Sequence, residues 1–528
     1  MNSTNRRMKW GVDPMPHQQK ALNEYGGREY YALLGEMGTG KTWIAIADLC
    51  SMFADGKVNR ACIAVPSGMQ RTWEHAIKEI CPAGIDTFVM VYHRTWNAYH
   101  RNAYLNRLCE SDPSELHVMI INHESFSCRT GLDKLGQFFD PELSNTTALI
   151  VDEADAFKAQ AKKPGSHKCK IGNRSYHLTK HFGPLAGYRR ILTGTPIADR
   201  PFDLYTPFSF LSPEIINIPS YIAFQKSITY PTRNKGLMTA IARKTGGNSP
   251  YIPDRDECDN IRYRDLDKLM ARIAPHSHRV SKSECLDLPP KMRKRVYYTI
   301  SPQTRRHYNE IADELSFAHS GELFVMNNLT VIQKLSQVVG GFIYTPTGES
   351  VIIHKNPEKL RTCMAAVQSA MVSGENVIIW CRYQRENVML EEALETELGL
   401  KNYGNQLVNR VFTLDGPTPP DKRHGIVSMF NNCSSSVLIT NPATCGVGMN
   451  LQGASVNIYY NNTWSLRDRA QSEDRTHRMG QKRPVTIIDL VGEDTIDEKI
   501  LQIVAEKRRV SEQCLTEMGK AKRIRAAL

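Results

Sequence analysis

The stretch Tyr30–Phe53, YYALLGEMGTGKTWIAIADLCSMF, joins an apolar run of strand length to a glycine-rich turn and then to an apolar run of helical length. Inside it, Gly35 is followed by four residues and then Gly40, Lys41 and Thr42, the GxxxxGK[ST] spacing of a phosphate-binding loop. Glycines let the backbone wrap an anion, successive N–H groups point inward, and the N-terminus of the following helix favours negative charge. Gly35, Gly38, Thr39, Gly40, Lys41 and Thr42 are therefore candidate nucleotide contacts. Lys41 is expected on the β- and γ-phosphates, and the Thr42 hydroxyl at a Mg²⁺ site.

Working outward, further short apolar runs each precede a loop and a helix-like stretch: Cys62–Pro66, His117–Asn122, Ala148–Glu153 and Arg189–Gly194. A second set comprises Asn376–Cys381, Val411–Gly416, Val437–Asn441, Val456–Asn461 and Val485–Val491. Continuous Val/Ile/Leu runs fit strands buried on both faces, and their alternation with helices predicts two parallel α/β sheets. The reading is α/β: a first lobe over residues 1–285, with a helical insertion at about 200–285, and a second over 286–528. The second carries a helical insertion at about 302–345 and a basic C-terminal helix, where seven Lys and Arg face three Glu from Ala505 onward. The basic segment Pro164–His177 reads as a solvated loop.

A chain of 528 residues suits two to four domains, because single cores stop growing near about 250–300 residues. Hydrophobic residues make up 41% and charged residues 23%, an ordinary globular balance. The net charge of +12 favours a polyanionic partner, though it is spread over a large surface. Thirteen scattered cysteines without a CxxC pair argue for reduced thiols and against a disulfide framework or zinc module. With no apolar signal region and no membrane-length apolar run, the expectation is a soluble, unsecreted, cytoplasmic protein with no membrane partner.

Two other constellations carry chemistry. ALIVDEAD ends an apolar strand with Asp152 and Glu153, carboxylates that are costly there unless they bind something. Asp152 is expected to hold Mg²⁺, and Glu153 to orient and deprotonate an attacking water. In QSEDRTHRMGQ, Gln471–Gln481, Arg475 and Arg478 stand three residues apart, which on a helix gives one face and one target. A planar, permanently charged fork suits a phosphate or carboxylate. Thr193 and Thr195 in ILTGTP add hydroxyls at another strand end.

Taken in order, MPHQQKAL, GEMGTGKT, AVPSGMQRTW, IINHES, VDEAD, LTGTP, LPPK, IIWCRYQ, LDGPTPPDKR, NPATCGVGMNLQGA and QSEDRTHRMGQ resemble the Swi/Snf-type branch of superfamily-2 helicases and DNA translocases. The resemblance runs from about Pro16 to Lys507. It implies two RecA-like lobes facing each other across ATP and Mg²⁺, with Arg475 and Arg478 as arginine fingers completing the catalytic set of Lys41, Asp152 and Glu153. It further implies that Gln18 reads the adenine edge. Pro66, Ser67, Trp73, Asn122, Thr444, Gly446, Gly448 and Asn450 would line a nucleic-acid track. Contacts there would be mostly to phosphates and sugars, without sequence choice.

The chain departs from the family pattern at Gly35, usually Asp, at Asp155, usually His, and at Ala443, usually Arg. The literal DEAD also suggests a DEAD-box RNA helicase, but those carry Ser-Ala-Thr where this chain has GTP. The resulting expectation is an ATP-dependent translocase on duplex or branched DNA, acting in branch migration or fork remodelling in a prokaryotic or phage-infected cell. The competing readings are an RNA-directed helicase, an RNA-polymerase-associated recycling ATPase and a non-hydrolysing DNA clamp.

Overall fold

The structure, a computed structural model, describes residues 8–92, 106–107, 114–158, 170–232, 238, 251–256, 260–314, 316–319, 322–325, 328–400, 410–445 and 449–527. The chain divides into two compact units, residues 1–286 together with 508–528, and residues 287–507.

The first unit is built on a seven-stranded sheet: β1 (Tyr30–Gly35), β2 (Arg60–Val65), β3 (Asp86–Val91), β4 (Glu115–Asn122), β5 (Thr147–Asp152), β6 (Tyr188–Leu192) and β7 (Ser277–Val280). Their order is β3-β4-β2-β5-β6-β1-β7, and every pairing is parallel. The apolar runs are continuous because both faces are covered. Ala32 and Leu34 of β1 enter one core with Phe126, Phe157 and Phe208, while Tyr31 and Leu33 enter the opposite core with Trp43, Ile46 and Trp73. Helix α1 (Pro16–Tyr25), helix α2 (Lys41–Ala54) and helix α3 (Gln70–Ile80) supply the second of these faces.

The second unit contains β8 (Lys291–Tyr298), a hairpin of β9 (Ser316–His319) and β10 (Glu322–Val325), a hairpin of β11 (Phe342–Tyr344) and β12 (Ser350–Ile352), then β13 (Val377–Trp380), β14 (Val411–Leu414), β15 (Val437–Thr440), β16 (Val456–Tyr459) and β17 (Val485–Gly492). Six of them form a parallel sheet in the order β14-β15-β13-β16-β17-β8. Val377 and Ile379 face one core, Ile378 and Trp380 the other. Two mainly parallel sheets flanked by helices are the α/β architecture expected from the apolar runs.

Three local readings change. The segment at about 200–285 is not purely a helical insertion, because its end supplies β7, which pairs with β1. The stretch at about 302–345 is not helical throughout, since the helix Pro302–Glu314 gives way to the β9–β10 hairpin before the helix Asn328–Val339. Of the basic segment Pro164–His177, residues 164–169 lie outside the described residues, and Lys170–Tyr176 is a helix where a loop was expected.

Residues 508–527 of the basic C-terminal helix (Ile496–Ala527) belong with the first unit. Val510, Cys514 and Met518 enter its core, and Arg279 Nη1 donates to Leu515 O at 3.2 Å. Among the described residues, no helix is long and apolar enough to cross a membrane, and the cysteines are free thiols.

Candidate active site

In a wholly parallel sheet all strands end on one edge, which is where ligands bind in such folds. The register brings the expected residues to that edge: Val65 pairs with Asn122, Leu33 with Leu192, and Asp152 with Leu192. The turn from β1 into α2 is closed by its own side chain, for Lys41 Nζ donates to Gly35 O at 2.7 Å and to Glu36 O at 3.3 Å. These carbonyls hold the buried ammonium in the loop, where phosphate oxygens would compete for it. Gly40 lies at φ +78°, and a Cβ there would come within 1.8 Å of Gln18 Nε2, so only glycine serves. Helix α1 is tied to the same loop by Gln18 Nε2 donating to Gly40 O at 3.4 Å and by His17 Nε2 to Thr39 O at 2.7 Å.

At the end of β5, Asp152 is 6% exposed and Glu153 takes a left-handed backbone with φ 47°. Asp152 Oδ1 accepts from Glu153 N at 2.9 Å, and Asp152 Oδ2 from Trp73 Nε1 at 2.9 Å. Burial, then the neighbouring Glu153 carboxylate, push the Asp152 carboxyl up to about 6, against the opposing pull of Trp73 and Lys41. Glu153 Oε2 is buried with no hydrogen-bond partner in the protein. Two crowded carboxylates, one with an orphaned oxygen, form an oxygen-rich site that suits a hard divalent cation such as Mg²⁺. Thr193 stands on the same edge, with its N–H on Leu33 O at 3.0 Å and its hydroxyl oxygen accepting from Thr195 N at 3.1 Å.

In the second unit the helix Leu466–Thr476 carries Arg475 in its last turn and stops at His477. Arg478 therefore lies beyond the helix, and the two guanidinium groups do not share a helical face as the i,i+3 spacing suggested. His477 ends the run by bonding through Nε2 to Pro289 O at 2.8 Å. Arg475 is buried, with Nη1 at 3.5 Å from Met449 O of the loop after β15, whereas Arg478 is half-buried. Burial lowers the Arg478 guanidinium from its ordinary value, opposed by Asp474.

A protein-family model described as SNF2-related domain matches residues 28–345, and one described as Helicase conserved C-terminal domain matches residues 358–480. The chain belongs to the SNF2-related family. An uncharacterized ATP-dependent helicase of Mycoplasma pneumoniae is 25% identical over 503 residues, covering 94% of this chain and 41% of that protein. Human TATA-binding protein-associated factor 172 is 25% identical over 422 residues, covering 70% of this chain and 21% of the relative. This chain thus spans less than half the length of either relative. A solved structure described as the Sulfolobus solfataricus SWI2/SNF2 ATPase core in complex with dsDNA is 21% identical, covers 98% of this chain and 96% of its own, and has a TM-score of 0.37.

The residues that the SNF2-type resemblance assigned to a nucleic-acid track fare differently from one another. Ser67 is exposed and donates through Oγ to Glu124 Oε2 at 2.9 Å. Pro66 is buried beneath it at the end of β2. Asn122 Oδ1 caps the following turn, accepting from Ser125 N at 3.1 Å and Ser125 Oγ at 2.7 Å. Trp73 is corrected: at 0% exposure its indole offers nothing to a nucleic acid, and its N–H is spent on Asp152. Thr444 lies in the short helix after β15, with its N–H on Asn441 Oδ1 at 2.7 Å, and Asn450 O accepts from Asn431 Nδ2 at 2.8 Å. Gly446 and Gly448 lie outside the described residues.

Sequence reasoning also missed the network that seats the arginine-bearing helix of this SNF2-related chain. Glu473 accepts from Arg293 Nη1 at 2.7 Å and Nη2 at 2.6 Å, from Lys291 Nζ at 3.3 Å and from Arg469 Nε at 2.9 Å. Arg469 also reaches Asp489 at 2.6 Å. Burial alone would raise Glu473, but Arg469, Arg293 and Lys291 outweigh it and hold the carboxylate well below its usual range.

Glu473→Ala strips a shared carboxylate from three cations, but Arg469 keeps Asp489 and Arg293 and Lys291 are partly exposed, so a loss of about 1–3 kcal/mol in denaturant unfolding is expected. Because the folded-state value is depressed, this contribution stands at neutral pH and is lost only as pH falls well below the usual carboxylate range.

Proposed function

We propose that this chain is the motor of an ATP-dependent DNA translocase that moves along duplex or branched DNA without reading sequence. Branch migration or fork remodelling in the cytoplasm of a prokaryotic or phage-infected cell is the role we favour. The observation that carries the reading is the shared edge of the first sheet, where the phosphate loop, Asp152 and Glu153 stand beside the strand-end loops at Ser67 and Asn122. The names of the helicase relatives, one of them a chromodomain-helicase-DNA-binding protein of Danio rerio, support the same class, as does the net charge of +12.

In this reading Lys41 leaves the Gly35 and Glu36 carbonyls for the β- and γ-phosphates. Thr42 and Asp152 would hold Mg²⁺, which would supply positive charge against the phosphates. Glu153 accepts a proton from the attacking water, and Arg475 and Arg478 stabilise negative charge developing in the transition state. Gln18 trades its bond to Gly40 O for the adenine edge. Thr444, Gly446, Gly448 and Asn450 serve the second unit's phosphate contacts.

The test is steady-state ATP hydrolysis with no nucleic acid, duplex DNA, single-stranded DNA, four-way DNA and duplex RNA, against a Glu153→Gln background. Stimulation of at least about 10-fold by duplex DNA, greatest on four-way DNA, is expected for a motor whose closure depends on its track. Stimulation by RNA alone, or by no nucleic acid, overturns the DNA reading.

A further inference from the structure

Asp152 is held by two hydrogen bonds that come from the loops assigned to the nucleic-acid side. The first starts at Pro66–Met69. That turn leads directly into α3, whose first turn carries Trp73, and Trp73 N bonds back to Met69 O at 3.0 Å. The indole then crosses the buried interior to Asp152 Oδ2 at 2.9 Å.

The second starts at Asn122. The next residue, His123, is 3% exposed and places Nε2 at 2.8 Å from the main-chain oxygen of Asp152. A carbonyl oxygen only accepts, so Nε2 is the nitrogen that carries the proton. Phe157 sets the ring in place, edge-on at 5.0 Å between centroids. The two loops are joined at the surface by Ser67 Oγ to Glu124 Oε2 at 2.9 Å, and Arg174 Nη2 lies 3.4 Å from Glu124 Oε1.

We infer that Trp73 and His123 are positioning residues that tie Asp152 to the loops at Ser67 and Asn122, so that engagement of nucleic acid by those loops sets the geometry of the carboxylate. The inference rests on the proposed function and deepens it. Neither side chain touches the reacting groups. The indole fixes where one carboxylate oxygen points, and the imidazole fixes the backbone that carries it. Both bonds are buried and direct, at 2.9 and 2.8 Å. On this inference, turnover with the loops unengaged is the basal rate. A phosphate strand laid across Ser67 and the Asn122 turn would immobilise both ends of it together.

The experiment compares basal and DNA-saturated ATP turnover in Trp73→Phe, His123→Leu and His123→Gln, with ATP KM and duplex DNA Kd measured alongside. Trp73→Phe keeps an aromatic ring and loses the N–H. It is expected to lower the DNA-saturated kcat by about 10-fold or more, while the basal rate, KM and Kd change by less than about threefold. The ratio of stimulated to basal turnover therefore collapses. His123→Leu should collapse the same ratio. His123→Gln, which keeps an amide donor of similar reach, should retain most of it.

An equal fall in basal and stimulated rates would make the pair plain scaffolding and overturn the inference. An unchanged ratio would overturn it too, as would a raised DNA Kd with kcat preserved at saturation, which would mark Trp73 as a DNA contact. The two His123 variants decide the matter even if Trp73→Phe does not fold. Wild-type protein that no nucleic acid stimulates would remove the proposed function first, and this inference with it.

Discussion

Glu153→Gln is expected to abolish most ATP turnover and, at the same time, to make the nucleotide-free protein more stable. Both effects come from one carboxylate. A positioned general base contributes roughly 10²–10⁴-fold to rate, so kcat should fall by about that factor. An amide of the same shape leaves nucleotide and DNA binding largely intact. The stability gain follows from crowding. Asp152 is pushed up to about 6 by burial and then by Glu153, whose own Oε2 is buried without a partner.

A carboxyl whose folded value is raised contributes stability that is fully present below its unfolded value and lost as pH rises through the folded one. The nucleotide-free wild type should therefore lose stability as pH rises through about 6. In Glu153→Gln part of that loss disappears, because the like charge is gone while the burial remains. Melting temperatures of the two proteins should be close at pH 5 and separate by about 1–4 °C at pH 7.5, with the variant higher. Mg²⁺ and nucleotide should close the gap by neutralising the pair in the wild type. A Glu153→Gln protein with unaltered turnover, or one less stable than wild type at pH 7.5, would remove this account of the site.

What was legible in the sequence follows from which signals are local. The phosphate loop, the strand-end carboxylates and the ten apolar runs are written into contiguous residues, because each central strand must be apolar on both faces. In the two parallel sheets, the three strands left unread, β3, β7 and β8, are all sheet edges. Their sequences DTFVMV, SHRV and KMRKRVYY carry polar residues because an edge meets solvent on one side. The hairpin at Ser316–Val325 failed for another reason: its apolar residues continue those of the preceding helix without a break in composition.

At the site, Trp73 is placed on the track by the family resemblance, through its position in AVPSGMQRTW. Only the fold shows that the first turn of α3 aims it inward to a carboxylate 79 positions away. The same holds for Glu473, whose partners Arg293 and Lys291 come from a strand about 180 residues earlier. Pairings across such separations leave no local pattern to read.

The other large effect is expected at the arginines, where the two side chains should separate chemistry from structure. Arg478→Ala should lower kcat by about 10³-fold or more, within the range that arginine fingers supply, while KM for ATP changes by less than about fourfold. Its side chain is half-buried and stands beyond the helix end at His477, so the melting temperature should barely move. Arg478→Lys keeps the charge but not the planar fork, and should recover only part of the rate.

Arg475 is different because it is 4% exposed and reaches Met449 O, holding the loop after β15 against the helix. Arg475→Ala should cost a comparable factor in turnover and, in addition, about 1–3 kcal/mol of stability, since a buried carbonyl loses its donor. Leu451 N donates to Arg475 O at 3.1 Å through the backbone, a bond that survives the substitution, so the helix itself should stay seated. Measured together, turnover, KM and unfolding separate the two roles. If Arg478→Ala weakens nucleotide binding as much as it slows turnover, its guanidinium holds the ground state and is no finger. If Arg475→Ala leaves stability unchanged, the buried contact with Met449 contributes nothing, and the residue acts through charge alone.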